Sequence, residues 1–169
     1  MNLEISPPQS VHLPNSRLLY QEFYEINAQW HHILSVIDSF IQSQENLYLA
    51  NNGLYFYFFC PPDDPEFQGG DHWVGREIVG YPDIELNEDF QVYDLDHCDA
   101  WQVQIDLCEL SWFSQKSLEE LYQKAIKYLQ NNDVQYAKTW RMVMDLNQDQ
   151  EDGWRLQAQL QFFEGSLGP

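Results

Sequence analysis

A chain of 169 residues with 44% hydrophobic and 15% aromatic content has the length of one domain and enough large apolar side chains to bury a core, which excludes a disordered chain. Its 8 Lys and Arg against 27 Asp and Glu leave a formal charge of -19, which repels phosphate, so direct nucleic-acid binding and membrane binding are not expected. No run approaches the roughly 18 apolar residues of a membrane span, and the three cysteines, Cys60, Cys98 and Cys108, have no C-x-x-C spacing, which points to a reducing, cytoplasmic compartment.

Residues 1–14 are polar, carry Pro7, Pro8 and Pro14, show no period and lack the basic patch and apolar core of a secretory signal. They are read as an extended arm in front of one domain over residues 15–165. Asn15 or Ser16 can cap a helix in which Leu19, Phe23, Ile26, Trp30, Ile33, Leu34, Ile37 and Ile41 recur at spacings of three and four, predicting one long amphipathic helix to about Ser43. The aromatic runs Leu47-Tyr48-Leu49 and Leu54 to Phe59, separated by Ala50-Asn51-Asn52-Gly53, predict a β-hairpin. Pro61, Pro62 and Pro65 then stop the strand, and Gly69-Gly70 keep the chain irregular up to Trp73.

Short strands are expected at 74–79, 84–86 and 90–95. A better one covers residues 101–107, where Trp101, Val103, Ile105 and Leu107 alternate with Gln102, Gln104 and Asp106, one face buried and one wet. Ser117-Leu118-Glu119-Glu120 matches a capping box and predicts a helix to about Gln130, with Leu118, Leu121, Tyr122, Ala125 and Leu129 on its apolar face. The even-numbered apolar residues from Val134 to Leu146 and from Trp154 to Phe162 predict two antiparallel strands joined by residues 147–153. The expected fold class is therefore α+β: one antiparallel sheet packed against a long N-terminal helix and a second, shorter helix.

Acids are concentrated between residues 63 and 109, which hold fourteen of them against one base, Arg76. On strands, Asp83 with Glu85 and Asp94 with Asp96 fall on common faces, roughly 6 to 7 Å apart, and such like charges repel unless a cation answers them. With Asp99, and with Trp73 and Tyr93 as aromatic anchors, they form a candidate surface for a basic protein partner, as in an inhibitor, immunity-type antitoxin or adaptor that occludes a basic surface, with mimicry of nucleic-acid charge as one variant. A solvated face that keeps the protein soluble is the plainer reading.

Two further readings stay open, a metal-dependent enzyme and a small-molecule-binding domain with a pocket in the aromatic sheet. His72, His97 and Asp71 are candidate metal ligands, although neither H-E-x-x-H nor C-x-x-C nor a calcium loop is present. Cys98 sits among carboxylates that would raise its thiol pKa, which disfavours a cysteine nucleophile. Gly69-Gly70 lacks the Lys-Ser/Thr of a phosphate loop, and no cofactor is expected. The oligomeric state is not encoded in these patterns.

Overall fold

The computed structural model describes residues 5–23, 30–67, 72–82, 89–107, 115–145 and 156–164. The chain runs β1 (Gln9–Leu13), β2 (Ser16–Phe23), α1 (Trp30–Gln42), β3 (Leu47–Leu49), β4 (Gly53–Phe58), β5 (His72–Gly80), β6 (Gln91–Leu95), β7 (Cys98–Leu107), α2 (Gln115–Asn131), β8 (Trp140–Asp145) and β9 (Leu156–Phe163). Eight strands follow the order β1-β7-β9-β8-β4-β5-β2-β6, and β3 pairs with β5 beside this path. Every strand pair is antiparallel.

Among the described residues the fold is thus a mostly antiparallel, curled sheet with two short helices, which corrects the expectation of a long N-terminal helix lying on a sheet. The start of that predicted helix is β2, and Trp30–Gln42 is helical; α2 is the longer of the two described helices. The error has a physical origin. Leu19 and Phe23 are four apart, like a helix stripe, but Leu18, Leu19, Tyr20 and Phe23 are all buried, because β2 lies between β5 and β6 and is covered on both faces. A strand buried on both faces loses its polar alternation and can be mistaken for a helix.

The predicted hairpin at 47–59 is also corrected. β3 pairs with the upper part of β5, Tyr48 opposite Val79, and β4 with the lower part, Tyr55 opposite Gly75. The two strands lie end to end along one side of β5. Between them the chain makes a jog, in which the Ala50 amide donates to the Glu77 carbonyl at 2.9 Å and the Gly53 amide to Asn51 Oδ1 at 2.8 Å. α2 begins at Gln115, so Ser117 is a buried first-turn residue rather than the cap, while the predicted apolar stripe from Leu118 to Leu129 is buried. β8 and β9 pair antiparallel, Met142 opposite Leu160. The strand expected at 84–86 lies outside the described residues.

Alternation sorts the side chains onto two faces. One carries Phe56, Phe58, Val74, Val103, Trp140, Met142 and Phe162, packed with Leu118, Tyr122 and Leu129 of α2, and continues through Leu19 and Ile78 to Ile37 and Ile41 of α1. The other face, on which none of the described helices packs, carries Leu18, Tyr20, Tyr55, Tyr57 and Phe163. The sheet curls around that inner face. Its edge strands β1 and β6 are brought together because β1 runs into β2 through Pro14 and Asn15 alone, and β6 into β7 through Asp96 and His97 alone; Leu13 and Leu95 meet in the same apolar cluster.

The curl depends on close approach of β2 to β5 at Gly75, where a Cβ would stand 2.2 Å from the Leu19 carbonyl oxygen and 2.9 Å from Tyr20 Cα. Backbone must move to admit it. Gly75→Ala is expected to cost about 2 to 3 kcal/mol, the upper part of the overpacking range, read as a lower urea midpoint; an unchanged midpoint would contradict the close packing.

Candidate functional site

Along β4 the rings alternate: Tyr55 and Tyr57 face inward, while Phe56 and Phe58 face the helices. The same alternation on β5 turns Trp73 and Glu77 inward and His72, Val74 and Arg76 outward, because Trp73 lies opposite Tyr57 and Glu77 opposite Leu18. The inner face therefore collects rings that carry a polar atom as well as an apolar surface. Tyr20 stacks on Trp73 with centroids 4.1 Å apart, Tyr93 lies 5.3 Å and Tyr57 5.9 Å from the same indole, and Phe59 meets it edge-on at 4.8 Å. Trp73 and Tyr93 are half-buried, so this aromatic wall is not sealed.

Two opposite charges sit in this face. Arg141 Nη1 donates to the Tyr57 hydroxyl at 2.7 Å, Nε donates to Gln161 Oε1, and Gln161 donates in turn to Gln102 Oε1 at 2.8 Å. The Glu77 carboxylate lies 3.8 Å from Arg141 Nη1, with side-chain exposures of 12% for Glu77 and 5% for Arg141. That separation exceeds the roughly 2.7 to 2.9 Å of a charge-assisted hydrogen bond, so the pair is loose and the acid is its outer member. Burial raises the pKa of the Tyr55 hydroxyl, neighbouring Glu77 adds to this, and Arg141 and Asn51 oppose it. At Tyr55 opens a cleft of about 360 Å³, lined also by Asn51, Asn52, Gly53, Val143, Asp145 and Gln159. Its lining residues on β4, β8 and β9 all belong to the inner face, since Gly53 pairs with Asp145, Tyr55 with Val143, and Val143 with Gln159.

The structure divides the residues singled out from the sequence. Trp73 and Tyr93 are part of the aromatic wall. Asp94, Asp96 and Asp99 stand exposed around the β6–β7 connection, where Arg17 Nε donates to Asp94 at 2.6 Å and His12 meets Asp99 at 2.8 Å. Asp83, Glu85 and Asp71 lie outside the described residues. His72 is buried, with Nε2 2.9 Å from the Phe67 carbonyl. The His97 amide instead donates to Asn15 at the opposite end of β2, so the eight residues of that strand, at about 3.3 Å each, set the two histidine positions roughly 25 Å apart. Among the described residues no group of three or more His, Cys, Asp or Glu is placed to hold a metal. Burial pushes the Cys98 thiol up, opposed by Arg141 and reinforced by Asp99. Glu77 and Arg141 were missed in the sequence; the one local signal was the Tyr-Phe-Tyr-Phe alternation at residues 55–58, which assigns polar-tipped rings to one face.

No protein-family model and no curated protein sequence matches the chain. Solved structures do share its fold. EcmrR, solved in a DNA complex, superposes over 95% of this chain with a TM-score of 0.67 at 11% identity, and this chain spans only 56% of that protein. The separate EcmrR C-terminal domain matches over 96% of this chain and 98% of its own length, with a TM-score of 0.63 at 12% identity. SAV2435, solved bound to tetraphenylphosphonium, matches over 93% of this chain and 94% of its own, with a TM-score of 0.50 at 10% identity. At such identities the likeness establishes the fold alone.

Tyr20 gives the wall a measurable titration. Its hydroxyl donates to Gln91 Oε1 at 2.8 Å, and burial, with the charges of Glu22 and Tyr93 adding, pushes its pKa up from 10 to about 12. Only the unfolded chain ionises first, so the stability contributed by this group is full below pH 10 and is lost as the pH rises through about 12. In phenolate absorbance titrations, Tyr20→Phe is expected to remove one step near pH 12; loss of a step near 10 would place Tyr20 in water.

Proposed function

We propose that this chain is a small-molecule-binding domain whose ligand is a lipophilic organic cation, held on the inner face of the sheet with Glu77 as its counter-charge. The observation that carries the reading is Glu77 itself, a nearly buried carboxylate on the aromatic inner face, only loosely met by Arg141 and next to Tyr55, which lines an open cleft. A bulky, weakly hydrated cation loses little on leaving water, gains about 0.5 to 2 kcal/mol per well-placed ring from the π-face, and buries its own apolar surface against Trp73 and Tyr93. Asp145 at the cleft and the formal charge of -19 favour the approach of a cation. That SAV2435 was solved with tetraphenylphosphonium, a lipophilic aromatic cation, supports the same class of ligand.

Calorimetric titration with tetraphenylphosphonium and with tetraphenylborate, nearly identical in shape and opposite in charge, tests this. The cation is expected to bind and the anion not, with Glu77→Gln weakening the cation by about tenfold or more. Equal binding of the two ions, or an unchanged affinity in the variant, would overturn the reading.

The exposure of Asp94, Asp96 and Asp99 at one corner favours a second reading, in which this corner occludes a basic protein. The triple Asn variant is then expected to lose a partner that the native protein captures at low salt and releases at high salt; retention of that partner argues against it.

A further inference from the structure

The rings of the proposed site already hold a cation. The Arg141 guanidinium carbon lies 5.1 Å from the Tyr55 ring centre, 5.6 Å from Tyr57 and 5.8 Å from Phe163, within the distance at which a cation is drawn to a ring face. What fixes it there is neutral: Tyr57 and Gln161 accept its hydrogen bonds, and Gln102 fixes Gln161. Glu77, 3.8 Å away, neutralises the guanidinium without a direct hydrogen bond. The carboxylate can therefore turn to another cation while Arg141 keeps its hydrogen bonds.

We infer that Arg141 is a resident counter-cation that competes with the ligand for Glu77 and so determines which cations the site accepts. The inference rests on the cation reading above. A small, strongly hydrated cation would give up water for a carboxylate that Arg141 already half satisfies, and would gain little. A large, weakly hydrated one brings apolar surface to the wall and needs less from Glu77. Arg141 thus favours the second kind by lowering the value of the carboxylate to both.

The test is tetraphenylphosphonium titration of the native protein, Arg141→Met and Arg141→Lys. Arg141→Met leaves Glu77 without its internal counter-charge and is expected to bind the cation about tenfold more tightly, because the lost charge lay within about 4 Å of the acid; Arg141→Lys, which keeps the charge, is expected to gain much less than Arg141→Met. Arg141→Met binding no more tightly than a native protein that does bind overturns the inference and leaves the cation reading intact. Failure of both proteins to bind overturns the cation reading instead, whereas binding by the variant alone upholds the competition. If Arg141→Met does not fold, the Arg141 Nε–H resonance of the native protein decides: saturation with tetraphenylphosphonium is expected to shift it, and an unmoved resonance at saturation overturns the competition.

Discussion

Burial of the sheet on both faces is the constraint from which the rest of the structure follows. On such a sheet, neighbouring residues of a strand enter different environments, and β5 shows what this does to charge. Glu77 enters the aromatic inner face, whereas Arg76 points to the helices, 3.5 Å from Asp38 of α1. Burial lowers the Arg76 pKa and raises that of Asp38 against their mutual attraction, and neither Arg76 Nε nor Asp38 Oδ1 has a hydrogen-bond partner among the described residues. A pair in that condition contributes little net stability. It gives α1, packed through Ile37 and Ile41, an ion pair with the strand that carries Glu77.

The inner face exists because the sheet curls, and the two shortest connections in the chain impose the curl. With β1 and β6 at opposite ends of the strand order, two residues between β1 and β2 and two between β6 and β7 pull the ends together. The corner is tied by the Arg17–Asp94 pair, the His12–Asp99 pair, and the His97 amide on Asn15, with the His12 and His97 rings 5.4 Å apart. Surface pairs of this kind are individually weak, so the covalent shortness of the turns and the apolar cluster that includes Leu13 and Leu95 carry the closure. A sheet closed in this way leaves little exposed edge.

What the sequence disclosed follows the same rule. β7, β8, β9 and the apolar stripe of α2 were legible because each has a polar side, so its period survived. β2 and β4 were not legible in the same way, since both of their faces are covered: Ser16–Phe23 read as helix, and Gly53–Phe58 read as one arm of a hairpin with β3. Pairing partners far along the chain, such as β1 with β7 or β4 with β8, leave no local trace. The site was the least visible part. Glu77 is one acid among 27, and its distinction lies in burial beside Arg141, 64 positions away on another strand; Asp94, Asp96 and Asp99, singled out in the sequence, lie at the corner instead of on the inner face.

The position of β9 also bears on how the chain is made. It is the last strand of the described structure to leave the ribosome, yet it sits inside the sheet, between β7 and β8. Until it emerges, β7 and β8 each expose an unpaired edge, and the N-terminal strand β1 has only β7 to pair with. Contacts of such long sequence separation slow folding, and open strand edges in a nascent chain invite pairing with other chains. The same interleaving that places Arg141 opposite Gln161 therefore leaves the middle of the sheet to be completed last.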